Sequence, residues 1–324
     1  MGHSRIRGVA RIALAALLAA VAFVASTPAS PPRVSRGPFG PWTPHDVLRG
    51  MDLPPKTPVT ATDYQALNVV GPGSVVLFSA QLGDPDSTGQ MANDPELQKW
   101  LAAHQDVTQI VRMWPVKSPD DPAELARRIV GLHERFPWMK WFQIANEPDI
   151  EWPAANWRTV QGWTEAVWLD VNWYRQHDPG ASDIRLLFPP LAQGSKLDPE
   201  HVGYDALRPA IELFLDNGDG LAGHEYWDRG NVYLVEDQWP AWLQARLSRV
   251  PFFVTECGRR PGAQNGFPDA ALGDELASFA RRTRAQVVAP FVLSSPNGMF
   301  DQFDFVDRNG QMRPALFAWG VLGP

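Results

Sequence analysis

The sequence holds one cysteine, Cys257, in 324 residues, so no disulfide can form within the chain. A chain of this length can bury enough apolar surface to do without one. Lysine is also scarce, at five of the 29 basic residues; the accompanying bias to Arg, Ala and Pro suggests a GC-rich bacterial genome. No apolar run reaches the roughly 20 residues of a comfortable bilayer span. No G-x-G-x-x-G turn follows the first strand-like segment, which counts against a nucleotide-binding doubly wound sheet. H-E-x-x-H, paired cysteines, an Asp-rich calcium loop and a G-x-S-x-G elbow are all missing. Neither a metal nor a cofactor is therefore expected.

The N-terminus reads as a targeting segment. Arg5, Arg7 and Arg11 form a basic region, Ile12 to Ala25 an uncharged apolar one, and small residues follow at Ala25-Ser26 and Pro28-Ala29. Residues 1–29 are expected to be a signal peptide and 30–44 a Pro-rich linker, with Pro28, Pro31, Pro32, Pro38, Pro41 and Pro44 in or beside it. The protein is then secreted, or held at the cell envelope if the leader stays on. Without the three leader arginines the chain carries 26 basic and 36 acidic residues, a net charge near −10. That argues against nucleic acid and anionic membrane as partners.

Between residues 45 and 324, apolar runs alternate with amphipathic stretches. Strand-like segments lie at 74–80, 109–114, 141–145, 184–188, 221–227, 252–255 and 287–293. Helical patterns lie at 94–103, 121–136, 155–176, 201–217, 239–247, 274–285 and 315–320. An eighth strand would lie upstream of Ser74, around Val47 to Leu53. Continuous apolar strands alternating with helices indicate a parallel sheet under a helix layer. Eight such repeats in about 250 residues predict a single α/β domain, a (β/α)8 TIM barrel.

Two apolar runs end in a glutamate. One is Gln143-Ile144-Ala145-Asn146-Glu147-Pro148 and the other Phe252-Phe253-Val254-Thr255-Glu256-Cys257-Gly258. In a barrel both would reach the same mouth, and two carboxylates there are the minimum equipment for retaining cleavage of a glycosidic bond. Pro148 disfavours the helical region for Glu147 and holds it extended. Asn146 supplies a neutral amide for a sugar 2-hydroxyl. On the strand 221–227, alternation places His224 and Tyr226 on one face and Glu225 and Trp227 on the other. Tyr226 can bond a carboxylate; His224 orients a carboxylate or a sugar hydroxyl, or is a hydrogen-bonded core histidine. Arg112 is a charge inside an apolar strand and must be paired, with the site carboxylates or with an acid lower in the barrel. Trp114 and Trp227, at strand tips, are candidates for stacking on a sugar ring, with plain packing as the alternative.

Taken in order, Asn146-Glu147-Pro148, His224-x-Tyr226 and Thr255-Glu256 resemble the motifs of clan A of the glycoside hydrolases, over residues 45 to 320. The resemblance implies a retaining β-glycosidase with Glu147 as acid/base, Glu256 as nucleophile, Asn146 on the 2-hydroxyl, and Tyr226, His224 and Arg112 around them. It implies an oligo- or polysaccharide substrate and a monomer. Two features depart from the family pattern. Arg112 lies only 34 residues before Asn146, on what reads as the third strand rather than an earlier one. The end of the last strand, Phe291-Val292-Leu293-Ser294-Ser295-Pro296, lacks the tryptophan many members carry there. Asp149, Glu151 and Trp152 resemble an acidic-aromatic loop that names no substrate. The competing reading is a non-catalytic carbohydrate-binding or cell-wall protein on the same barrel.

Overall fold

Eight short strands, each bonded to parallel neighbours, close on themselves in a computed structural model that describes residues 47–53, 58–84, 93–113, 121–152, 156–192, 203–262, 264–295 and 300–321. They are β1 Leu48–Asp52, β2 Ser74–Phe78, β3 Thr108–Arg112, β4 Trp141–Gln143, β5 Arg185–Phe188, β6 Gly220–Trp227, β7 Phe252–Arg259 and β8 Val287–Pro290. β8 pairs back onto β1 through Leu48 and Val287, which completes a (β/α)8 barrel. The eighth strand anticipated near Val47 to Leu53 is thus β1. The expected signal peptide, linker and Trp114 lie outside the described residues.

Ten helices accompany the strands among the described residues: α1 Ala61–Val70, α2 Pro95–Ala103, α3 Pro122–Arg135, α4 Pro148–Glu151, α5 Trp157–His177, α6 Gly203–Ala206, α7 Arg208–Asp216, α8 Ala241–Leu247, α9 Ala270–Ala280 and α10 Pro314–Val321. None is long and apolar enough to cross a membrane. Several begin at legible signals. Asp94 caps α2 by accepting from Leu97 N, with Pro95 at the first position, and Asp121 with Pro122 opens α3 in the same way. Four departures from expectation stand out: the short α4 was not anticipated, and the single helix expected at 201–217 is two, α6 and α7. α1 was not anticipated, although Thr60 and Asp63 form a reciprocal capping box at its start. α9 begins four residues before the expected Asp274, because Asp269 caps it by accepting from Leu272 N.

The core has two layers. Val76, Ile110, Trp141, Leu187, Ala222, Phe253, Val287 and Ala289 fill the barrel, with Trp141 edge-on to Phe253 at 4.8 Å between ring centres. A larger cluster fills the space between the strands and the helices. Gly50 is small because the barrel is full: a Cβ there would stand 2.5 Å from Ser74 Oγ.

One irregularity decides what faces the mouth. Phe253 belongs to the inner cluster and Val254 to the outer one, so strict alternation would turn Glu256 outward. The register slips instead: Gly223 pairs with Val254, and His224 pairs with Glu256, leaving Thr255 as an extra residue. This bulge resets the alternation, bringing Glu256 in beside His224 and Cys257 out into the helix-side core.

Candidate active site

Glu147 and Glu256 meet at the mouth of the barrel over one imidazole. His224 Nδ1 lies 2.8 Å from Glu147 Oε1 and 3.5 Å from Glu256 Oε2. Glu147 follows β4 with φ −66° and ψ 80°, outside the helical region, as Pro148 requires; Pro148 itself occupies the first position of α4. Glu147 is half-buried, whereas Glu256 is only 7% exposed.

Two donors grip the buried carboxylate. Arg112 Nη1 donates to Glu256 Oε1 at 2.5 Å, and the Tyr226 hydroxyl donates to Oε2 at 2.8 Å. Arg112 Nη2 donates at 3.2 Å to Asp52 Oδ2 and at 3.2 Å to the carbonyl of Thr255, the extra residue of the bulge. The guanidinium also covers the Phe78 ring, 5.1 Å from its centre. Burial alone would raise the Glu256 pKa. The charges of His224 and Arg112, with the hydrogen bonds from Tyr226 and Arg112, outweigh it and hold this carboxyl below its ordinary value. Burial and the neighbouring Glu256 and Glu147 push the Tyr226 phenol well up, so it stays a donor. Asp52, at the tip of β1, is driven well up by burial and by Glu256, against the pull of Arg112.

The structure therefore brings together Glu147, Glu256, His224, Tyr226 and Arg112. Arg112 lies on the third strand, as its spacing indicated, and still reaches Glu256. Asn146 is adjacent, but its Nδ2 donates to Glu151 Oε1 at 2.6 Å. Trp227 does not join them, which corrects its assignment as a sugar contact. It is fully buried on the opposite face of β6, stacked on Phe279 at 5.0 Å, and its Nε1 donates to Glu275 Oε2 at 3.0 Å. The alternation of the strand outweighs the tip position. Trp152 is likewise buried, edge-on to Trp163, and Asp149 accepts from Ala192 N, which ties α4 to the segment after β5.

Two carboxyls at the site received no role from the sequence, Asp52 and Glu151. Asp52 ends β1, Leu48-Arg49-Gly50-Met51-Asp52, which has no apolar run to mark its tip as the two glutamates' strands do. Glu151 depends on α4 folding back over Asn146, which no periodicity announces in four residues. At the end of β8, where a tryptophan is missing, Phe291 packs edge-on against Phe300 and Phe303, and Phe303 meets Tyr226 at 5.8 Å.

No protein-family description matches this sequence, and no curated protein resembles it closely enough to align. Solved structures do share its fold. A β-glucuronidase from an uncultured Clostridium superposes with a TM-score of 0.54 at 12% identity, over 84% of this chain and 49% of its own. An endo-1,4-β-xylanase from Caldicellulosiruptor owensensis gives 0.56 at 13%, over 86% and 97%. An endo-β-1,4-glucanase from Xanthomonas axonopodis pv. citri gives 0.56 at 13%, over 86% and 99%. This chain thus spans about half of the β-glucuronidase and nearly all of the other two. At these identities the likeness establishes the fold alone, a (β/α)8 barrel.

Proposed function

We propose that this protein is an exported, retaining glycoside hydrolase that cleaves β-glycosidic bonds in an oligo- or polysaccharide. The observation that carries the reading is the convergence of Glu147 and Glu256 on His224 Nδ1. One imidazole nitrogen within 2.8 Å of Glu147 Oε1 and 3.5 Å of Glu256 Oε2 puts an acid and a buried carboxylate side by side at one mouth, the pair that double displacement uses.

In the first step a Glu256 oxygen attacks the anomeric carbon as the glycosidic C–O bond breaks. Glu147, protonated, gives its proton to the departing oxygen. In the second step Glu147, now a carboxylate, takes a proton from water. The water oxygen bonds to the anomeric carbon and releases Glu256 as a carboxylate. A nucleophile must be ionised before attack, and the cationic and phenolic donors around Glu256 favour that form. His224, touching both acids, holds their separation. Asn146 serves the C2 hydroxyl, and the Phe291 group offers an apolar wall beside Tyr226. β-Linked substrates are favoured because the similar structures include a xylanase, a glucanase and a β-glucuronidase. The basic and then apolar N-terminal residues support export.

The test is hydrolysis of a panel of aryl β-glycosides and soluble polysaccharides by the mature protein, Glu147→Ala and Glu256→Ala. Activity in the parent that collapses in both variants, with azide restoring one of them as a glycosyl azide, supports double displacement and names the sugar. A parent inert on every substrate, whose binding to a polysaccharide ignores both substitutions, is a lectin-like barrel instead.

A further inference from the structure

Glu151 ends the four-residue helix α4, which carries its side chain back towards the residue before the acid/base. Its Oε1 accepts from Asn146 Nδ2 at 2.6 Å. With that hydrogen taken, the amide of Asn146 cannot rotate freely. Its Oδ1 is buried and has no hydrogen-bond partner among the described residues. A buried carbonyl oxygen without a donor is costly. Beside Glu147 and Glu256, the donor that suits it belongs to a ligand.

We propose that Glu151 is a positioning residue for the C2 substituent of the bound sugar: by taking an Nδ2 hydrogen of Asn146 it leaves Oδ1 as the acceptor that faces the ligand. The inference rests on the glycosidase reading and deepens it. The site then selects sugars with a donor at C2, a hydroxyl or an acetamido N–H, and disfavours those with hydrogen or fluorine there.

The protonation of Glu151 sharpens this. Burial, then the charges of Glu147 on the same turn and Glu256 on β7, push the Glu151 carboxyl up to about 7, against the Asn146 hydrogen bond and the pull of Arg112 on β3. Above that pH the carboxylate can only accept, so Asn146 is held with Nδ2 towards it. Below it the neutral acid can also donate to Oδ1 of a flipped amide, and the orientation loosens. A glutamine at 151 keeps the shape and has no titration.

Two measurements test this. The first is kcat/KM on an aryl β-glycoside that the parent cleaves and on its 2-deoxy counterpart, across neutral pH, for the parent, Glu151→Gln, Asn146→Ala and the double variant. The expected result is a loss of about tenfold for Glu151→Gln on the 2-hydroxy substrate above roughly pH 8, since a charged acceptor is about twice as strong as a neutral one. The loss shrinks towards nothing as the pH falls through 7, is absent for the 2-deoxy substrate, and is absent in the Asn146→Ala background. Equal losses on both substrates, or no loss, overturn the proposal. The second measurement needs no turnover: the side-chain amide resonances of Asn146, in protein labelled with nitrogen-15 asparagine and identified by their loss in Asn146→Ala. They are expected to shift with a midpoint near 7 in the parent and to stay fixed in Glu151→Gln. Resonances that do not titrate sink the role of Glu151 whatever the activity. A parent that cleaves no glycoside yet shows the titration sinks the glycosidase reading and leaves the Glu151–Asn146 pairing standing.

Discussion

The two faces of β6 and β7 treat the same kind of side chain in opposite ways. On the barrel side, Glu256 is buried among Arg112, Tyr226 and His224 and is held as a carboxylate. On the helix side, Glu225 is buried at least as deeply, but its neighbour is another acid, Glu236. Glu225 Oε2 accepts from Val235 N at 2.8 Å, and Glu236 Oε1 accepts from Thr283 Oγ1 at 2.8 Å. The remaining oxygens, Glu225 Oε1 and Glu236 Oε2, have no other partner among the described residues, so one proton between them satisfies both. Burial and the charge of Glu236 accordingly push Glu225 well up. Depth does not separate the two glutamates. What separates them is whether the nearest groups donate hydrogen bonds and positive charge or compete for a proton.

The largest way to break this contrast is on the inner face. Glu256→Gln is expected to lower kcat/KM by about 10⁴-fold or more, the scale at which loss of a reacting group is felt in other hydrolases. Glu225→Gln is expected to leave it near the parent's value. Steady-state kinetics on one substrate decides both, and equal losses would erase the distinction between the faces. Arg112→Met comes next. Removing one partner of a buried, paired charge costs about 3–5 kcal/mol, here because Asp52 and Glu256 are left facing each other. Urea unfolding reads that loss. The acid limb of the activity profile should also move to higher pH, because Glu256 loses a group that holds its ionised form.

The barrel itself was legible because its strands are nearly continuous apolar runs and its helices carry caps, as at Asp94 and Asp121. The inward set on β6 followed from period-two alternation alone. Glu256 is the instructive case. Its place at the mouth was expected from the end of an apolar run, yet alternation counted from Phe253 points it outward. The bulge at Thr255 is what turns it in, and nothing in Val254-Thr255-Glu256-Cys257 announces that extra residue. Trp227 shows the converse: alternation had placed it beside Glu225, and its position at a strand tip was a weaker signal than that parity. Asp52 and Glu151 escaped because their roles depend on contacts across the barrel and through a four-residue helix, which local pattern does not carry.

A smaller effect sharpens the outer face. In the unfolded chain Glu225 loses its proton near pH 4.3, the ordinary value for the residue. In the folded chain it keeps that proton to a higher pH. The folded state therefore binds more protons between the two values, and stability falls as pH rises through that window, by at most about 1.4 kcal/mol per pH unit for one proton. Glutamine cannot titrate, but it can still accept from Val235 N and donate to Glu236. Glu225→Gln should therefore gain on the parent as pH rises from about 5 to about 8. Paired urea melts at the two pH values measure the change; parallel behaviour would show that Glu225 is not protonated in the fold.

The smallest expected effect concerns Trp227, one residue beyond Tyr226 on the opposite face. Trp227→Phe keeps a ring against Phe279 and deletes the hydrogen bond from Nε1 to Glu275 Oε2. That oxygen still accepts from Arg259 Nε at 2.9 Å, and Glu275 Oε1 still accepts from Gly230 N and Arg259 Nη2. The acid is not orphaned, so the cost belongs at the low end for a lost hydrogen bond, about 1 kcal/mol. Rate and KM should not change on any substrate, long or short, because no atom of Trp227 reaches the mouth of the barrel. A KM that rises with the length of the oligosaccharide would instead mean that the helix-side face of β6 is felt by the ligand. The two faces would then be coupled through the strand they share.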